Sequence, residues 1–105
     1  PGDREAIRDR CLQCPEERVL ITHGTDTMVE TAQLIGAMAP DKTVVLTGAM
    51  IPVTVVNSDA QFNLGFAFSA VQALPPGVYI AMNGKIFTWD NVHKNTDMGE
   101  FQTLD

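Results

Sequence analysis

Three short apolar runs, at residues 19–22, 43–46 and 78–82, return along the chain with helix-length segments around and between them. Each run is too short for a buried helix and is rich in β-branched residues, as strands covered on both faces of a parallel sheet are. Residues 3–14 put Ile7 and Cys11 on one face, with Cys14 beyond and Pro15 as a stop. Residues 28–38 carry Val29, Ala32, Leu34, Ile35 and Met38 at helical spacing. Residues 59–73, with Phe62, Leu64, Phe66, Phe68 and Val71, are apolar around most of their circumference and predict a well-buried helix that Ser58 can cap. Asn83-Gly84 is a two-residue hairpin signal that returns residues 85–88 antiparallel to the third strand. Residues 50–57 read as an extended loop, and residues 92–105, where apolar side chains are sparse, as an irregular exposed segment. The expected architecture is α/β, an open three-layer parallel sheet of flavodoxin or Rossmann type with a late β-hairpin, in one domain over 1–105.

A chain of 105 residues that is 45% hydrophobic can bury one core. Seven basic residues against 13 acidic ones leave a formal charge of -6, and the basic residues are scattered, so nucleic acid is not an expected partner. No apolar run approaches the roughly 20 residues of a bilayer span, and no membrane segment is expected. The opening residues Pro1 to Glu5 contain no basic and apolar leader, which points to the cytoplasm. Cys11 and Cys14 are spaced C-x-x-C, but they precede Pro15 at a helix end and have no second Cys/His pair. They read as two ordinary reduced thiols.

In an open α/β sheet a ligand crevice lies beyond the carboxyl ends of the strands, so the turns after Thr22 and after Leu46 should open on the same side. The first turn offers Gly24, Thr25, Asp26 and Thr27 ahead of a helix, where free N–H groups favour negative charge. Gly24 permits close approach to backbone, Thr25 and Thr27 supply hydroxyls, and Asp26 supplies a carboxylate. An N-cap at Thr25, Asp26 or Thr27 would account for one of these residues, Thr27 having work for its hydroxyl in the first turn, but a cap does not account for the whole set. His23 is equally well a ligand or a packed strand-end histidine. Lys94 by its local spacing is a solvated lysine; drawn into a site, such a group can polarise a threonine hydroxyl.

The string ITHGTDTM at 21–28, continued by Val29-Glu30-Thr31-Ala32, resembles an active-site signature of the L-asparaginases. The turn Thr47-Gly48-Ala49-Met50-Ile51-Pro52 is similar to the V-G-A-M-R-P turn of that family. Ser58-Asp59-Ala60 with Phe62-Asn63-Leu64 is similar to its S-A-D-G-x-x-N-L helix start, and Val92-His93-Lys94-Asn95 to its V-x-K-x-N segment. The likeness runs in order from Val19 to about Phe101 and implies the N-terminal domain type of that family. It implies that Thr25, Lys94 and Asp26 form a Thr-Lys-Asp arrangement, that Asp26 also holds the substrate α-ammonium, and that Gly24 and Ala49 border the substrate amide. The implied reaction is hydrolysis of L-asparagine through a threonine acyl-enzyme, and the choice between L-asparagine and L-glutamine as substrate stays open. No metal and no organic cofactor are implied, and a homo-oligomer is. Two positions depart from the family pattern, Ile51 where Arg is frequent and Arg18 where Gly is frequent. The T-G-G-T-I turn that carries the nucleophile in the family does not precede Pro1, so this chain is expected to hold part of a site and to be inactive alone.

A second reading of the same residues is a non-catalytic amino-acid-binding or regulatory module. A third, a flavodoxin-like phosphate-binding domain, finds no G-x-G-x-x-G or P-loop in support.

Overall fold

A computed structural model describes residues 2–52 and 54–105. Its elements run α1 (Gly2–Gln13), β1 (Arg18–Thr22), α2 (Met28–Gly36), β2 (Thr43–Thr47), α3 (Ala60–Ala73), β3 (Gly77–Met82), β4 (Lys85–Thr88), β5 (His93–Asn95) and β6 (Glu100–Gln102). The order across the main sheet is β1-β2-β3-β4. The first three strands are parallel and β4 returns antiparallel through the Asn83-Gly84 turn, where both residues have positive φ. The expected α/β sheet with its late hairpin is therefore present.

Alternation along β2 and β3 divides the interior into two layers, as a period of two requires. Val44 and Leu46 of β2 and Val78, Ile80 and Met82 of β3 point to one face, where Met28, Ala32 and Ile35 of α2 and Cys11 of α1 meet them. Val45, Tyr79 and Ala81 point to the other face and meet Ala67 and Val71 of α3. The helices of successive crossovers thus lie on opposite faces, although β1, β2 and β3 follow one another in a single direction across the sheet. Geometry then requires the two crossovers to have opposite hands, so one is left-handed, against the strong right-handed preference of β-α-β units.

Four sequence expectations are corrected. The helix at α3 is not well buried: Phe62, Leu64 and Phe68 are exposed, because only the stripe of Asn63, Ala67, Ala70 and Val71 faces the sheet. Residues 92–105 are not wholly irregular, since β5 and β6 pair antiparallel and Val92 and Phe101 are buried in the larger core. Among the described residues β1 pairs on one side only, and its Val19, Leu20 and Ile21 are half-buried rather than covered on both faces. Residues 50–57, apart from residue 53, which lies outside the described residues, form a loop as expected but one folded into turns rather than extended, with the Val55 N–H on the Pro52 carbonyl and the Ser58 N–H on the Val55 carbonyl. No helix among the described residues is long and apolar enough to cross a membrane.

Candidate active site

The turns after β1 and β2 meet. The His23 N–H donates to the Thr47 carbonyl at 2.8 Å, and a side chain on Gly48 would collide with the His23 carbonyl, so glycine is required there for the close approach. Between the turns lies a cavity of about 340 Å³, bounded by residues 22–24, by residues 47–49 and by Ala60 and Leu64 of α3. A side chain at Gly24 would meet nothing within 4 Å, so the backbone at that point faces open space. A larger cavity of about 460 Å³ lies against α1 and β1 and is bordered by Cys11 and Cys14 but by none of the polar turn residues. The two cysteines are free, and the Cys14 thiol donates to the Cys11 carbonyl at 3.3 Å, as ordinary helix-end thiols do.

His23 is half-buried, borders the cavity and has both ring nitrogens within hydrogen-bond distance of a neighbour. Its Nδ1 lies 2.7 Å from the Gly24 carbonyl, which can only accept, so that nitrogen carries the proton. Its Nε2 lies 2.9 Å from the hydroxyl oxygen of the buried Thr31. Thr27 stands at the N-cap position of α2 but makes no side-chain cap hydrogen bond, contrary to the sequence reading; its carbonyl accepts the Thr31 N–H.

Lys94 reaches the first turn from 69 residues away. In the β5–β6 ribbon it stands opposite Phe101, and residues opposite one another in an antiparallel pair share a face. Phe101 is buried in the core beside Val92, so the ribbon is pinned with that face inward. The Lys94 Nζ donates to the Thr25 Oγ at 2.9 Å and to the Asp26 Oδ1 at 2.7 Å. The Lys94 side chain is 17% exposed and that of Asp26 is 91% exposed, so the pair sits at a rim with the carboxylate turned to solvent. The hydrogen bond from Lys94, and then its charge, hold the Asp26 carboxyl below the usual carboxylate range. Thr25 Oγ donates to no acceptor among the described residues, which leaves its proton free to turn toward a ligand. The structure therefore joins Thr25, Asp26 and Lys94, and places Gly24, next to Thr25 in the chain, together with Ala49 in the lining of one cavity, a lining that does not include that trio. No group of three or more His, Cys, Asp or Glu side chains that could hold a metal occurs among the described residues.

A second polar cluster was not assigned a role from sequence. Asp59, Asn63 and Asn83 converge behind the Ala49 turn. The signal available was Asn63, a polar residue one turn after Asp59 in a largely apolar helix; in the structure it is fully buried.

Residues 4–104 match the family described as Asparaginase, N-terminal. The chain is 40% identical over 90 residues to the L-asparaginase of Thermococcus kodakarensis, a stretch covering 82% of this chain and 27% of that one. It is 40% identical over 84 residues to the glutaminase-asparaginase of Acinetobacter glutaminasificans, covering 76% of this chain and 25% of that one. Superposed on the solved thermostable L-asparaginase of T. kodakarensis, it gives a TM-score of 0.87 at 34% identity, covering 99% of this chain and 34% of that one. The chain belongs to the asparaginase family, within its N-terminal domain. It spans between 25% and 34% of the length of these relatives.

Proposed function

We propose that the protein is an L-asparaginase-type amidohydrolase, converting L-asparagine and water to L-aspartate and ammonia, and that this chain supplies part of the site. The observation that carries the reading is the contact of Lys94 with both Thr25 and Asp26, made from a strand ribbon that Val92 and Phe101 anchor in the core. In this reading Thr25 works with Lys94 and Asp26 as the Thr-Lys-Asp group. A nucleophilic hydroxyl attacks the side-chain amide carbon, ammonia leaves, and water cleaves the resulting ester. The Thr25 N–H, in the turn ahead of α2, suits the oxyanion that forms in each step. Asp26 keeps Oδ2 free to receive the substrate α-ammonium, while Gly24 and Ala49 border the amide. The glutaminase-asparaginase relative supports L-glutamine as a second substrate.

Two free thiols favour a reducing compartment, and we place the protein in the cytoplasm. Self-association into a homo-oligomer belongs to the same proposal, supported by the exposed Phe62, Leu64 and Phe68 on α3 and tested by sedimentation. The test of activity is ammonia release from L-asparagine by the full-length protein and its Thr25→Ala variant. Activity lost by about 10³-fold in Thr25→Ala supports the assignment. A wild-type protein that binds L-asparagine without releasing ammonia would turn the reading into that of an amino-acid-binding module.

A further inference from the structure

The turn from Gly48 to Ile51 is gripped from behind at every residue but one. Asp59 accepts the Met50 N–H at 3.0 Å on Oδ2 and the Ile51 N–H at 3.0 Å on Oδ1. Asn63 donates from Nδ2 to the Gly48 carbonyl and to Asp59 Oδ2, both at 2.9 Å. Its Oδ1 accepts the Asn83 N–H at 2.8 Å and the Asn83 side-chain amide at 3.3 Å, and that amide also donates to Asp59 Oδ2 at 2.9 Å. Ser58 Oγ donates to the Ile51 carbonyl at 2.6 Å and accepts the Ala60 N–H at 3.1 Å. Asn63 is fully buried, and no buried side-chain nitrogen or oxygen among the described residues lacks a partner. Ala49 differs from its neighbours, since neither its N–H nor its carbonyl makes a hydrogen bond among the described residues, while it lines the cavity between the turns. Backbone groups at a half-buried turn are ordinarily paired, so a turn fixed at residues 48, 50 and 51 and open at 49 is built to present that residue.

We infer that Asp59, supported by Asn63 and Asn83, is the positioning residue that sets the Ala49 backbone against the substrate amide. The inference rests on the asparaginase-type reading of the cavity. None of the three side chains touches the cavity side of the turn, and they act by holding Gly48, Met50 and Ile51 in place. The carboxylate is needed for its geometry, because one oxygen takes three donors and the other takes Ile51. An amide in its place would set an NH₂ group against either the three donors or the Ile51 N–H.

The test uses the full-length protein with Asp59→Asn, which conserves volume, and Asn83→Gly, which removes a side chain at a positive φ that glycine tolerates. A positioning role predicts that Asp59→Asn raises KM for L-asparagine about tenfold with kcat changed less than about threefold. Asn83→Gly raises it about threefold in the same direction. A purely stabilising role would lower the melting temperature of both variants and leave KM of the folded enzyme unmoved, and KM within twofold of wild type in folded Asp59→Asn overturns the inference. If Asp59→Asn does not fold, an unchanged KM in Asn83→Gly overturns it instead. If the wild-type protein releases no ammonia, the asparaginase reading fails by itself. Positioning is then read from amide hydrogen exchange at Met50 and Ile51, where faster exchange by tenfold or more in the variants supports it and unchanged exchange overturns it.

Discussion

The two crossovers of the sheet cover opposite faces and do so in opposite ways. On the face of α2, the helix buries Met28, Ala32 and Ile35 completely, and α1 and the β5–β6 ribbon close over the same layer with Cys11, Val92 and Phe101. On the face of α3, the contact is made by the small stripe Ala67, Ala70 and Val71, while Phe62 and Phe68 stand 61% and 60% exposed. A helix made largely of apolar residues is therefore not buried on that account alone, because the layers that pack against it decide. The site draws on the two faces differently as well. From the α2 side a side chain crosses the structure to reach a hydroxyl, as Lys94 does to Thr25. From the α3 side, Asp59 and Asn63 leave the cavity alone and hold the backbone behind it.

That contrast can be broken by substitution, and the largest effect on stability is expected on the α2 face. Ile35→Ala removes a fully buried side chain from the larger core and should cost about 3 kcal/mol in chemical denaturation. Gly36→Ala should cost about 2 kcal/mol, because a Cβ there meets the Trp89 ring and the packed indole must move. A loss under about 0.5 kcal/mol in both variants would show that α2 is not the sealed helix described above.

On the α3 side the sharper probe is pH. Burial raises the Asp59 carboxyl pKa, but hydrogen bonds from Asn83, Ile51, Met50 and Asn63 together outweigh it, and the net shift is downward. A carboxylate whose folded pKa lies below its unfolded value contributes stability above the unfolded pKa, about 3.9, and loses it as pH falls through the folded value. Urea midpoints of the wild type should therefore fall more steeply below pH about 4 than those of Asp59→Asn. Parallel curves would remove the carboxylate from the grip on the turn. The smallest effect is expected from Phe68→Ser, within about 0.5 kcal/mol of the wild type in the monomer, since its ring is already in solvent.

Much of this arrangement was legible in the residues. The runs at β2 and β3 were readable because four or five consecutive apolar and β-branched positions leave few alternatives, and Asn83-Gly84 marked the hairpin. The β5–β6 ribbon was not readable, since two three-residue strands carry no period and their place is set by the docking of Val92 and Phe101. The exposure of α3 was missed for a related reason, as a helix apolar all round does not say which stripe the sheet will take. In the site, Thr25 and Asp26 were marked by their position after a strand. Lys94 was singled out by family resemblance alone, because a contact across 69 residues leaves no trace in local spacing. The hand of the crossovers had no signal in the sequence, since either hand serves the same order of elements.

The claim that Thr25 and Lys94 act as one unit is tested most directly by a double-mutant cycle on ammonia release from L-asparagine in the full-length protein. Thr25→Ala, Lys94→Met and the double variant should each lose kcat/KM by a similar factor, about 10³, because removing either partner already disables the pair. Losses that multiply in the double variant, with each single variant retaining its share of activity, would contradict the pairing seen between these two side chains.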